Sequence, residues 1–393
     1  RCTLRGDEGI APYCDNCKNF PDNLEDCPGP PPKSERNHLM ADTYVISPKA
    51  SQRLNLAKLW FAFMVVFIHS NQEGVNMAGD SVLFETPGWL ELIKRLGSDI
   101  IPRCAVPGFF LIAGVLLFRK DFSWKENMRK KCRTLAVPYL LLNTLWILFY
   151  IICQSIPFTA AFFSQERILD WSLGDWVDAY LGNRSGGPLV YHLWFLRDLF
   201  VMNLIAPVIG WLTKKAPKLS AAAVLALYLL PKTRYLTITT EAICFFTLGA
   251  CLVRWDVHLD SVKKKWSLAL VYAALVAAAA VTDNQLVKKL CILAGVAFWL
   301  VCATDFAPGR FLQWLMAFSL DIYLFHQMTM VIFFKLVNKF VTPTPAAQLV
   351  EYMGMPFVMF AFCIGLASFL KRFLPKTYGL LTGNRSRAKL PQT

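Results

Sequence analysis

Runs of roughly 20 apolar residues constrain this chain most. A helix of about that length crosses the hydrocarbon core of a bilayer, where the backbone must hydrogen-bond to itself. Ten candidate spans can be read, at about 54–71, 100–118, 134–156, 191–212, 218–231, 237–253, 267–282, 287–305, 312–334 and 349–370. The fifth, seventh and eighth are short. The expected fold class is all-α, a polytopic integral membrane protein of about ten transmembrane helices. With 55% hydrophobic and only 17% charged residues, the chain has too little polar surface for a soluble globule. Its formal charge of +14 does not point to nucleic acid, because the cations punctuate apolar runs instead of gathering on one water-facing domain.

Those cations set the expected orientation. The connection between the second and third spans carries Arg119, Lys120, Lys125, Arg129, Lys130, Lys131 and Arg133. Arg254 and the lysines at 263–265 follow the sixth span, and six basic residues lie between Lys371 and Lys389. These sides are expected to be cytoplasmic. The long connection from Gln154 to Val190 sets Glu166, Asp170, Asp175 and Asp178 against Arg167 and Arg184, and is expected outside. Ten spans then leave both termini in the cytoplasm, in a cell membrane, the bacterial cytoplasmic membrane by expectation.

Three regions follow: a polar extension at 1–48, a membrane domain at 49–374 and a basic tail at 375–393. The extension is rich in Pro, Asp and Asn and lacks the apolar core of a cleavable signal peptide. Of its Cys2, Cys14, Cys17 and Cys27, only Cys14 and Cys17 form a pair at zinc-knuckle spacing, so disorder is expected there and no metal. Met40 is a candidate natural start. The other eight cysteines are scattered in or beside spans, as packing residues would be.

Ionisable residues inside spans are costly and mark functional sites by default. In "KLWFAFMVVFIHS", Lys58 and His69 bracket an apolar stretch eleven positions apart. On an α-helix that separation is three full turns plus about 20° and a rise of about 16 Å, so the two share one face at two depths. Alone, Lys58 could snorkel to the cytoplasmic headgroups while His69 marks the outer interface. Other spans argue against this: Arg103 opens the second, His192, Arg197 and Asp198 lie in the fourth, and Asp321 and His326 in the ninth. Ser319, Tyr323 and His326 make a polar stripe at i, i+4 and i+7. A shared polar interior is expected, with helix-gluing networks as the structural alternative.

These residues carry a resemblance to acyltransferase family three, membrane proteins that move acyl groups, commonly acetyl, onto sugars and other hydroxyl-bearing surface molecules. It rests on Lys58-x10-His69, on "RCAVPGFFLIAGVLL", on "HLWFLRDLFVMNLIAPVI", on "FFTLGACL" at 245–252 and on "SLDIYLFHQ", spread in order over about 50–372. The chain departs from the family where Ala113 replaces the usual serine and where Lys58 replaces the commoner arginine, a point charge for a planar fork. The basic run before Pro138-Tyr139 resembles the family's, with Lys130-x-x-Arg133 standing for its paired arginines.

The resemblance implies acetyl-CoA or another acyl-CoA as donor substrate. Its phosphates would suit Arg129, Lys130 and Arg133, with Lys58 at the inner mouth. His69 would then act as general base on an acceptor hydroxyl, or as an acyl relay. Arg103 or Arg197 would stabilise the oxyanion, with Asp198 or His326 orienting a partner. Expected partners are membrane lipid, acyl-CoA and a glycan or other hydroxyl-bearing acceptor; a second catalytic domain, if required, would be a separate chain. The rival reading is a proton-coupled carrier of anions or sugars, but Pro107, Pro138 and Pro207 have no counterpart set in the second half. A third is a sensor or loading module without chemistry.

Overall fold

A computed structural model describes residues 44–77, 80–163, 167–231, 234, 235, 237–258 and 265–384. The cysteine pair, Met40 and the expected disorder of the extension's residues 1–43 lie outside those residues, while the extension's last five, 44–48, are ordered and lead into the first helix. The fold is all-α, with two small antiparallel hairpins among the described residues, Gly74–Met77 with Asp80–Leu83 and Arg234–Tyr235 with Ile238–Thr239. The helices that build the site are α1 (Pro48–Ser70), α2 (Ala105–Phe118), α3 (Val137–Ser155), α4 (Trp194–Leu204), α5 (Ala206–Lys215), α6 (Thr240–Arg254), α7 (Gln285–Val301), α8 (Ser319–Phe340) and α9 (Pro345–Phe373).

Among the described residues four helical stretches are long and apolar enough to cross a membrane: Gly88–Phe118, Trp124–Ser155, α8 and α9. A fifth results if α4 and α5, with the turn Tyr191–Leu193 ahead of them, form one broken span bent by 60°. The apolar runs read as ten spans thus give four or five by this measure. Several of those runs fold as helices too short for the purpose, Pro217–Leu229 and Lys265–Val281 among them. The bend between α4 and α5 falls at Ile205, two residues before Pro207. The proline has no N–H to give, and its ring meets the carbonyl four residues back.

Helices α1 and α2 run antiparallel. The Tyr44 N–H, ahead of α1, donates to the Arg119 carbonyl past the end of α2 (3.2 Å), while Ser98 Oγ, ahead of α2, donates to the Phe67 carbonyl late in α1 (2.6 Å). The basic segment 119–133 therefore lies at the end of the bundle opposite His69. Helices α2 and α6 touch backbone to backbone through facing glycines. A Cβ on Gly114 would lie 2.2 Å from the Phe246 carbonyl oxygen, and one on Gly249 would lie 2.4 Å from that of Leu111. Small residues are what allow such an approach.

Helix α1 sits between two apolar clusters. Leu54, Ala57, Phe61, Met64 and Val65 pack into the main core with α2, α4 and α6, whereas Ala62 and Val66 pack with α8 and α9. At about 100° per residue, Lys58 and His69 fall between those two arcs, on the seam where the clusters meet. Beyond Leu374, where a basic polar tail was expected, the helix Pro375–Thr382 packs back onto the bundle with Tyr378 buried. Its Tyr378 hydroxyl donates to Asp321 Oδ1 at 2.6 Å.

Candidate active site

Three imidazoles meet where α1 and α8 approach the turn ahead of α4. The His69 ring is 5.3 Å from His326 and 6.4 Å from His192, centroid to centroid, and His192 is 4.9 Å from His326. His69 comes from the last turn of α1 and His326 from the third turn of α8. His192 is delivered by the turn Tyr191–Leu193 at the end of the long connection that follows α3.

That connection is held by local chemistry legible in its sequence. Helix Leu173–Leu181 starts with a capping box, in which Ser172 Oγ accepts from the Asp175 N–H and Asp175 Oδ2 accepts from the Ser172 N–H and hydroxyl. The same Ser172 donors hold the Asp175 carboxyl below the usual carboxylate range. Gly182 ends the helix in the left-handed conformation, φ 64°, with the backbone of Gly187 packed where a Cβ would stand. Downstream, the Val190 N–H donates to the buried Asn143 Oδ1 of α3 at 3.1 Å, fixing the approach to Tyr191 and His192.

The three rings differ in what they have left to offer. Both edges of His192 are taken: Nδ1 stands 2.8 Å from Gln327 Oε1, and Nε2 is 3.3 Å from the Leu324 carbonyl. Gln327 Oε1 also accepts from the His192 backbone N–H (3.0 Å), and the Tyr323 hydroxyl donates to the His192 carbonyl (2.7 Å). His326 is taken on one edge. Its Nδ1 faces the carbonyls of Ile322 (2.9 Å) and Tyr323 (3.0 Å), which only accept, so the proton sits on Nδ1 and Nε2 carries the lone pair. That Nε2 is fully buried and has no hydrogen-bond partner among the described residues. His69 is taken on neither edge among the described residues and is only half-buried. The cluster thus offers one anchored imidazole, one acceptor nitrogen aimed at nothing, and one ring free to meet a substrate.

The remaining sequence-predicted residues divide. Arg103 is exposed and ion-paired to Asp99, four residues earlier, at 2.8 Å. Lys58 is half-buried, with Nζ 3.2 Å from Asn55 Oδ1, about 16 Å along α1 from His69. Arg129, Lys130 and Arg133 are exposed at the opposite end of the bundle from the histidines. Arg197 and Asp198 form a buried clamp of their own. The Arg197 guanidinium donates to Asp198 Oδ1 (3.0 and 3.1 Å) and to the carbonyls of Leu181 and Thr237, and Asp198 Oδ2 accepts from the N–H and hydroxyl of Thr239. Thr239 in turn caps α6. The fold therefore brings His69 and His326 together with His192, leaves Arg103 in its exposed pair with Asp99, and sets Arg197 and Asp198 to fastening α4 to α6.

Reading by residue type left His192 out of the catalytic set, although it stands in the same motif as Arg197. Gln327 closes the motif "SLDIYLFHQ" but residue type assigns it no role, since its part depends on which backbone it meets. Among the described residues no group of three or more His, Cys, Asp or Glu is arranged to hold a metal ion.

Residues 51–370 match the model of an acyltransferase domain, and every residue discussed above as a candidate lies inside that match. The chain belongs to acyltransferase family three. A curated relative of this acyltransferase is the succinoglycan biosynthesis protein ExoH of Rhizobium meliloti (strain 1021), 24% identical over 362 residues, with 86% of this chain and 94% of the relative covered. No solved structure matches it.

Proposed function

We propose that this acyltransferase moves an acyl group, acetyl in our reading, from acyl-CoA to a hydroxyl of a cell-surface glycan. The observation that carries the reading is the pair His69 and His326, two imidazoles 5.3 Å apart, the second with a buried Nε2 that has no partner among the described residues. ExoH's part in succinoglycan biosynthesis supports a polysaccharide acceptor. In this reading the shorter apolar helices supply further crossings, about ten in all, with both termini cytoplasmic.

The donor's phosphates meet Arg129, Lys130 and Arg133 at the cytoplasmic end, and its thin arm runs along the seam past Lys58. At the outer end His69 takes the proton of the acceptor hydroxyl as its oxygen attacks the thioester carbonyl. The C–O bond forms, the oxyanion is stabilised by Arg103, and the C–S bond breaks as the proton passes to the departing thiolate. When the acceptor binds, a His69 N–H turned onto the lone pair of His326 Nε2 would hold the His69 ring toward the acceptor. Purified protein in detergent, given acetyl-CoA and a polysaccharide acceptor, should release free thiol and yield ester-modified glycan, and His69→Ala should do neither. A carrier would leave the thioester whole, so an intact thioester would sink the reading.

A further inference from the structure

A cavity of about 310 Å³ lies between α1, α2, α6 and α7, toward the end of the bundle near residue 44. Leu54, Val115, Leu248, Leu252, Val296 and Leu300 line it. Its mouth is closed by Tyr44 and His258, whose rings stack at 4.6 Å and 4°, with the Tyr44 hydroxyl donating to the Val257 carbonyl at 2.6 Å. The volume is within the range of ligand sites. Water needs two to four polar partners to occupy such a space, and aliphatic walls offer none. Exposed Lys49 adjoins Ala50 of the lining and exposed Arg254 is three residues before Val257; against these two cations stands one carboxylate, Asp256, whose Oδ1 is 3.0 Å from His258 Nε2, so the balance of charge at the mouth is positive.

We infer that this cavity holds one acyl chain of an anionic phospholipid, with the phosphate at the Tyr44–His258 mouth and the chain between α1, α2, α6 and α7. The chain is not the acyl group to be transferred. The lining on α1 ends at Leu54, fifteen residues and about 22 Å short of His69. The site is an accessory lipid site that fills the packing gap where the bundle opens toward the cytoplasm.

The test uses the full chain in phosphatidylcholine vesicles doped with phosphatidylglycerol that bears a photoreactive diazirine in one acyl chain. Illumination should label the stretches 245–252 and 293–301, unlabelled phosphatidylglycerol should compete, and long-chain acyl-CoA should not. Ala297→Trp, and separately Leu252→Trp, should fill the space and remove the labelling while each variant keeps the wild-type melting temperature and thiol release. Two different fillings guard against one that merely misfolds. Labelling spread evenly over the lipid-facing helices, unchanged labelling in both variants, or competition by acyl-CoA would each overturn the inference; the last would move the cavity to the donor. Because thiol release is scored separately, the lipid site can fail while the acyl-transfer reading stands, and the reverse.

Discussion

The imidazoles of His69 and His326 stand 5.3 Å apart at a tilt of 43°, one with no hydrogen bond among the described residues, the other pinned through Nδ1 to two carbonyls of its own helix. Pinning leaves His326 as a one-nitrogen acceptor in a fixed direction, and in the mechanism proposed above that nitrogen orients His69. His69→Ala should lower transfer by about 10²–10⁴-fold, the usual share of a positioned base. His326→Gln should lower kcat with little change in the KM for acyl-CoA, because the residue acts through His69 and not on the donor. Thiol release at saturating and limiting donor separates the two outcomes. A rise in donor KM with unchanged kcat would place His326 on the donor path instead.

Lys58 lies on the seam between the two apolar clusters that flank α1, below His69. If it only snorkels to headgroups, removing its charge changes nothing in the donor dependence. If it touches the donor, Lys58→Met loses a charge-assisted hydrogen bond worth about 1.5–3 kcal/mol. That loss corresponds to about ten- to a hundredfold in turnover at limiting acyl-CoA. Donor titrations on matched membrane preparations measure it.

Arg197 and Asp198 make a contrasting prediction. Both are buried, with 8% and 0% of their surface exposed, and each is hydrogen-bonded to the other and to the strand leading into α6. Asp198→Ala strands the guanidinium without its carboxylate, and breaking one partner of a buried pair costs about 3–5 kcal/mol. The variant should melt lower and insert poorly. A variant with normal melting that had lost transfer would instead return the pair to the catalytic site.

What the sequence made legible follows from what each residue needs. The all-α class was legible because unbroken apolar runs of about 20 residues suit a membrane helix, whereas barrel strands are about half that length and alternate apolar with polar. Lys58 and His69 were legible as co-facial because eleven residues nearly complete three turns. The histidine cluster was legible in two of its members, His69 and His326, since ionisable residues in apolar spans stand out. It was not legible that His192 completes it, because His192 arrives on an irregular turn whose position depends on Asn143 holding Val190. Nor could composition separate Arg103 from Arg197: both are arginines at helix starts, and only the neighbouring carbonyls of Leu181 and Thr237 show that Arg197 is already spoken for.

At the other end of the bundle, buried Arg53 of α1 pairs with Asp305 at 3.3 Å and donates to Thr304 Oγ1 and the Val301 carbonyl, while Lys265 also donates to Asp305. The Lys265 hydrogen bond, joined by the Arg53 charge, holds the Asp305 carboxyl below its ordinary value. A depressed carboxyl stabilises the folded chain above the unfolded value of about 3.9, and that stability is lost as pH falls through the lower folded value. Wild-type protein and Asp305→Asn should therefore differ in melting temperature by a constant amount from pH 7 to 5. The difference should shrink only below about pH 4. A gap that closes between pH 7 and 6 would mean that a different group titrates.

The contact between α2 and α6 gives the last prediction. A methyl added at Gly249 meets the Leu111 carbonyl oxygen at 2.4 Å and the Val115 nitrogen at 2.8 Å. One added at Gly114 meets the Phe246 carbonyl oxygen at 2.2 Å. Backbone atoms cannot swing aside as side chains do, so the helices must part. Overpacking of this kind costs about 1–3 kcal/mol. Gly249→Ala and Gly114→Ala should each lower the melting temperature. The double variant should lose less than the sum, because once the helices have separated for one methyl the other enters space already opened. Additive losses in that cycle would mean that each methyl is accommodated locally, with α2 and α6 still in place.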